Sequence, residues 1–162
     1  MKMTDIISPE NTDLLAQILG DIQSKAYIEV VCDVQQQVSE LPQLELPVFH
    51  HFAPNVYMRQ MDAPAGALVV SKMHRTEHMN ILIKGSVTVV TENGIEFLKA
   101  PLVLKSAAGT KRIGYFHEDS SWITVHPTES TDLEEIEKQV IVPEDQVRTF
   151  LKSLECKPKE IE

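Results

Sequence analysis

The chain is short of the residues that staple or bias a polypeptide. Among 162 residues there are two cysteines, six glycines and one tryptophan, and aromatic side chains make up 6%. Cys32 lies in an apolar run and Cys156 in a charged tail, so no disulfide framework is implied and a reducing, cytoplasmic compartment is expected. No stretch approaches the roughly 18 apolar residues needed to span a bilayer, and the start, Met1-Lys2-Met3-Thr4-Asp5, lacks the apolar segment of a secretory signal. Basic residues are outnumbered 15 to 24 by acidic ones, giving a formal charge of −9, which repels phosphate backbones and anionic lipid surfaces. Neither a nucleic acid nor a membrane is an expected partner. What remains, 43% hydrophobic and 24% charged, is the makeup of one globular domain with a sizeable core, and collagen, coiled coil and low-complexity scaffolds are excluded.

Three regions differ in composition: an N-terminal helical arm over 1–43, a β-rich body over 44–128 and C-terminal helices over 129–162. In the arm, Ser8-Pro9-Glu10 is a helix-start signal followed by Leu14, Leu15, Ile18 and Leu19 at helical spacing. Ala26 to Leu41 reads as a second helix with Val30, Val31, Val34 and Val38 on one side, although its β-branched residues also suit a strand. Pro42 and Pro47 then punctuate the chain.

The body breaks into short runs separated by turn residues, the pattern of an all-β sandwich or barrel. Strands are expected at Val56–Met61, Ala67–Met73, Asn80–Ile83, Val87–Thr91, Ile95–Leu98, Leu102–Lys105, Arg112–His117 and Trp122–Val125. Asn93-Gly94 is the strongest hairpin signal, both residues tolerating positive φ, and Ala65-Gly66, Lys84-Gly85 and Ala108-Gly109 mark further turns. Thr131 and Glu134 form a capping-box pair, and Pro143-Glu144-Asp145 opens a last helix carrying Val147, Phe150, Leu151 and Leu154.

All six histidines fall between His50 and His126. His74 and His78 flank Arg75-Thr76-Glu77, and in an extended chain side chains four apart share a face, so two imidazoles can converge on one site. Arg112, Tyr115, His117, Glu118 and Asp119 follow, then His126 at the end of the run Trp122 to Val125.

This region resembles the two motifs of the cupin superfamily of small jelly-roll barrels. The first, Gly, five residues, His-x-His, three or four residues, Glu, six residues, Gly, falls on Gly66, Lys72, His74, His78 and Gly85; the second, Pro-x-Gly, two residues, His, falls on Ala107, Gly109 and Arg112. The phrases His74 to His78, Gly109 to Asp119 and Trp122 to Pro127 are also similar to short cupin-like proteins of phages and prophages. The resemblance implies a mainly β, cupin-like double-stranded β-helix with helices at both ends, and a barrel mouth where small molecules bind.

A typical cupin holds a divalent metal with two histidines and a glutamate of the first motif and a histidine of the second. Here only His74 stands at a matching position, and Lys72, His78 and Arg112 replace the rest; lysine and arginine are cationic donors that do not ligate metal in that state. The primary expectation is therefore a cationic, His-lined pocket formed by Lys72, His74, His78 and Arg112, with Tyr57, Arg59 and His126 nearby. Its ligand is expected to be a small anion such as a nucleotide, sugar phosphate or carboxylate. Secondary to it is a transition metal (Zn, Cu, Fe, Ni or Mn) on His74, His78 and a third ligand, drawn from His126, His117, Glu77 or His51.

A third reading is metal-free acid–base chemistry like that of the sugar-nucleotide epimerase branch, with His74 or His78 as base and Tyr115 as acid. Tyr57, Arg59, Tyr115 and Trp122 otherwise read as barrel packing or ligand-stacking residues. A structural or accessory phage protein with a vestigial cavity, placed in the host cytoplasm, is a further alternative. A homodimer is expected, with the helical arms covering a sheet edge.

Overall fold

In a computed structural model the described residues are 4–7, 14, 18 and 26–155. The ends of the helix expected after Ser8-Pro9-Glu10 lie outside them, but Leu14 and Ile18 are helical and buried. The elements in chain order are β1 (Thr4–Ile7), α1 (Tyr27–Glu40), β2 (Val48–Ala53), β3 (Val56–Ala63), β4 (Leu68–Ser71), β5 (His78–Lys84), β6 (Ser86–Thr91), β7 (Gly94–Lys99), β8 (Leu102–Ser106), β9 (Ile113–Phe116), β10 (Ser120–Pro127), α2 (Leu133–Val140) and α3 (Val147–Glu155), the last entered through a 3-10 turn at Glu144–Gln146.

The strands form two antiparallel five-stranded sheets, ordered β1-β4-β9-β6-β7 and β2-β3-β10-β5-β8. This is the mainly β jelly-roll arrangement expected, with helices at both ends. The two inner faces meet over Met61, Val69, Leu82, Val87, Val89, Leu98 and Phe116. β3 shows why: Tyr57, Arg59, Met61 and Ala63 are buried while the residues between them are half-exposed, the period-two signature of a strand with one face on the core. No helix among the described residues is long and apolar enough to cross a membrane.

The valine-rich segment is a helix, α1. Its four expected valines, with Gln35, are its buried residues and pack on Leu68, Val70, Val90 and Ile113, the outer face of the first sheet. β-branched residues are weak helix formers, but burying each valine is worth about 1.5–3 kcal/mol, which outweighs the propensity deficit.

Several expectations change. β1 and β2 were not anticipated; β2 lacks alternation, and five of its six residues are exposed because it is an edge strand. In the β6–β7 hairpin Thr91 pairs with Gly94, so the turn residues are Glu92 and Asn93, one position earlier than expected. Positive φ is needed only at Gly94, at 116°. Helix α2 is capped by Asp132, not Thr131: its carboxylate accepts from the backbone N–H groups of Glu134 (2.9 Å) and Glu135 (3.1 Å).

After α2 the chain runs antiparallel to residues 73–75. Arg75 N–H donates to Val140 O (2.7 Å), Val142 N–H donates to Met73 O (2.9 Å), and His74 pairs with Ile141. Ile136, Val140 and Ile141 pack on Tyr57. The C-terminal segment is thus knitted to the loop that carries His74.

Candidate ligand site

Strand alternation decides which side chains enter the space between the sheets. On β10, Trp122, Thr124 and His126 face inward, opposite Met61, Arg59 and Tyr57 of β3 respectively. On β5, His78, Asn80 and Leu82 do the same, with His78 opposite Ser106 of β8. β4 ends at Ser71, so the strand period no longer governs Lys72 and His74. His74 turns inward, whereas the Lys72 ammonium sits 3.4 Å from Glu144 Oε1 and does not line the cavity.

Three imidazoles meet here. Ring centroids of His74 and His78 are 4.2 Å apart, and His126 lies 5.4 Å from each. All three are buried, His126 completely. His78 Nδ1 is 3.0 Å from Thr76 O. A carbonyl only accepts, so Nδ1 carries the proton and Nε2 presents a lone pair.

Burial lowers all three imidazole pKa values. His74 is pushed well below its ordinary value by burial first, then by His78, His126, Arg112 and Arg59. His126 is pushed to about 4 by burial, then His78 and Arg59. His78 is lowered by burial and Arg112 against the opposing pull of the Thr76 carbonyl. At neutral pH the cluster is uncharged.

A cavity of about 70 Å³ adjoins the cluster, lined by His74, Arg59, Arg112, Asn80, Ser71 and Thr124 on its polar side and by Met61, Val69, Val87, Val89, Phe116 and Trp122 on its apolar side. Among the described residues no aspartate or glutamate lines it. Arg112 donates from Nη2 to Ser106 Oγ, and its guanidinium carbon lies 5.9 Å from the Trp122 ring centroid. Asn80 Nδ2 donates to the same Ser106 oxygen (2.6 Å), and Trp122 Nε1 donates to Asn80 Oδ1 (3.2 Å). Arg112 also borders an open cleft of about 580 Å³ shared with Glu96, Lys111 and Tyr27.

Six buried side-chain atoms have no hydrogen-bond partner among the described residues: Arg59 Nε, His74 Nε2 and Thr124 Oγ1 on residues that line the cavity, and His78 Nε2 and both ring nitrogens of His126 on the neighbouring rings, which do not line it. Buried polar atoms are nearly always satisfied, and each orphan costs about 1–3 kcal/mol, so these atoms call for buried water or another polar partner.

Of the expected site residues, the structure brings together His74, His78, His126, Arg59 and Arg112, with Tyr57 stacked 6.0 Å from His126. It does not bring Tyr115, which lies between inward Gly114 and Phe116 and therefore faces the other way, against the cluster under α1. Of the other third-ligand candidates, His117 hydrogen-bonds Thr88 Oγ1 (2.7 Å) at the surface, His51 bonds Gln60 Oε1 (3.2 Å), and Glu77 pairs with Lys105 (3.5 Å). Asn80, Ser106 and Thr124 were missed. Counting by twos from His78 and back from His126 reaches Asn80 and Thr124; Ser106 needs the pairing of β5 with β8.

The metal that the cupin resemblance implies can be tested against these residues. Three neutral imidazoles with free nitrogens are a suitable donor set. Their arrangement is not: the His74 and His126 rings are stacked within 12° of parallel, and among the described residues no three His, Cys, Asp or Glu side chains form a metal-holding group. The residues as placed do not fit a metal.

No protein-family model and no curated protein matches the chain. Solved structures with which it shares shape include KdgF from Halomonas sp. (TM-score 0.46, 16% identity, 54% of this chain and 86% of that one). A cupin-2 domain protein from Shewanella frigidimarina gives a TM-score of 0.42 at 13% identity, over 57% and 90% of the two chains. The EutQ protein of Clostridium difficile gives 0.44 at 10% identity, over 52% and 69%.

Proposed function

We propose that the protein is a cupin-like small-molecule-binding protein that holds a small anion in the cavity between its sheets, gripped by Arg112 and Arg59 beside the three histidines. The observation that carries this reading is a cavity lined by two guanidinium groups and by no carboxylate among the described residues, with unpartnered buried polar atoms on its lining residues Arg59, His74 and Thr124. Burial lowers the pKa of both arginines, first by desolvation, and for Arg112 the nearby Glu96 and Tyr27 only partly oppose it. A bound anion restores what burial removes from each guanidinium, through charge-assisted hydrogen bonds worth about 1.5–3 kcal/mol each.

Calorimetric titration of tag-free protein with small carboxylates and inorganic phosphate tests this. Binding that is lost in Arg112→Met, with the fold intact by circular dichroism, is the expected result. Failure of every anion to bind, or equal binding by Arg112→Met, would overturn the reading.

A second reading, a transition metal on His74, His78 and His126, has one observation in its support, the lone pair left on His78 Nε2 by the Thr76 carbonyl, against the placement of the rings, which as they stand do not fit a metal. It requires the rings to turn out of their stack.

A further inference from the structure

The two sheets differ in what lies on their outer faces. That of the first is covered by its own chain: Leu14, Ile18 and the valines of α1 pack on Leu68, Val70, Val90 and Ile113. On the second sheet, alternation turns Met79, Ile81 and Ile83 of β5 away from the cavity. Ile81 sits in register between Val103 of β8 and Ile123 of β10, and Met79 lies beside Val125, so an apolar patch runs across three strands. The described helices pack elsewhere, α1 on the first sheet, α2 against Tyr57 and α3 against Met73. Val103 is left 60% exposed, Ile83 47% and Met79 40%.

The polar groups of this face lie to one side and satisfy one another. His51 Nε2 donates to Gln60 Oε1 (3.2 Å), while Gln60 Nε2 (3.2 Å) and Ser121 Oγ (2.6 Å) both donate to Asp62 Oδ1. At the borders Lys84 stands opposite Ser121, and Lys105, beside Met79, is 3.5 Å from Glu77. The face is thus close to neutral on a chain with a formal charge of −9.

An apolar centre with a polar border is the anatomy of a protein interface, and monomers rarely expose so continuous a patch. Its charges point to the partner. It presents no cluster of either sign to attract an oppositely charged protein, and no basic group of the number an anionic lipid surface needs. Two copies of an acidic chain repel each other except where neither presents its excess charge, a condition this face meets against itself. The size also fits: strands about 4.8 Å apart and residues about 3.3 Å apart make the five-stranded face roughly 20 by 20 Å, and side chains standing off it bring its accessible area toward the about 800 Å² per partner of a stable interface.

We propose that a second copy of this chain covers the outer face of the second sheet, the two sheets stacking about a two-fold axis near Ile81. The row Val103, Ile81 and Ile123 of each copy lies in the seam, and the His51–Gln60–Asp62–Ser121 ribbon forms its border. The arm helix α1, already packed on the first sheet of its own chain, is not the element that joins the copies.

Sedimentation equilibrium of the full chain from about 1 to 100 μM tests this. A mass of twice 18.3 kDa is the expected result. Met79→Glu combined with Val103→Glu, at positions already exposed, is expected to keep the fold by circular dichroism and to weaken the dimer about hundredfold or more, because the two-fold axis brings each new carboxylate toward its own copy. Phe97→Glu on β7 of the first sheet, 60% exposed, is expected to leave the dimer unchanged. If the double variant does not fold, Val103→Lys alone carries the same test. A single-chain mass throughout would overturn the proposal, as would a dimer that survives the charged substitutions at Met79 and Val103. A dimer broken by Phe97→Glu and not by those would place the interface on the first sheet and overturn it as well.

Discussion

The His78 ring lies 4.2 Å from that of His74, centroid to centroid, and neither Nε2 has a hydrogen-bond partner among the described residues. Two imidazoles this close and this buried cannot both ionise cheaply, and the third, His126, stands at the same distance from both. The cluster therefore stays neutral at physiological pH, and the positive charge of the site resides on Arg59 and Arg112.

That neutrality makes stability depend on pH in a defined direction. The folded-state pKa values of His74, His78 and His126 are lowered, so the unfolded chain binds more protons wherever pH lies between the folded and unfolded values. Stability is then full above the unfolded pKa near 6.5 and falls as pH drops toward about 4, the folded value of His126. For fully buried His126 the difference corresponds to about 3 kcal/mol. Urea melts from pH 7.5 to 4.5 should show a falling midpoint, and a His126→Leu variant should lose a large part of that slope. A midpoint independent of pH would contradict the burial of the cluster.

Metal content separates the two readings of the same histidines. Tag-free protein is expected to carry well under one equivalent of transition metal by elemental analysis, because the rings stack where ligands would converge. Close to one equivalent of metal, lost in His78→Ala, would establish the metal reading in place of the first.

Away from the site, Lys111 is 2% exposed and its Nζ sits 2.7 Å from Glu144 Oε2, while Lys72 Nζ sits 3.4 Å from Glu144 Oε1. One carboxylate on the C-terminal 3-10 turn thus ties two lysines of the β body, and burial lowers the Lys111 pKa against the pull of Glu144. Glu144→Gln leaves a buried ammonium without its counter-charge and is expected to cost about 1–3 kcal/mol, below the full penalty for a buried pair because Glu144 is 39% exposed. Lys111→Met removes the buried charge itself and is expected to be nearly neutral. Chemical denaturation of both variants checks the order; the reverse order would show that the pair stabilises by attraction.

Much of this was legible in the sequence, and the misses share a cause. The strands of the body and the valine face of α1 follow from periodicities of two and near four, which burial imposes on composition. β2 was illegible because an exposed edge strand has no buried face to print such a pattern. At the site His74 and His78 converge, though not as neighbours on one extended chain: His74 lies in a bridge to Ile141 and the chain bends at 75–76 before β5 begins at His78, while Lys72 and Tyr115 were misplaced by where strands end and which way they start. β4 stops at Ser71 before Lys72, and the inward Gly114 and Phe116 put Tyr115 outside. The direction of His126 could not be read from the sequence, since a one-residue change of register reverses it; the pairing of β10 with β3, which sets His126 opposite Tyr57, resolves it.

The histidine cluster is held at a cost to the fold. His126 is fully buried with both ring nitrogens unpartnered among the described residues, so replacing it with a side chain of similar volume and no polar atoms removes two desolvated groups. His126→Leu is expected to raise stability at pH 7 by about 1–2 kcal/mol, the trade expected where a fold keeps polar groups for binding at the expense of packing. Thermal melts of ligand-free protein measure it. Destabilisation of His126→Leu by several kcal/mol would contradict this account and show that the imidazole nitrogens have partners in the folded protein.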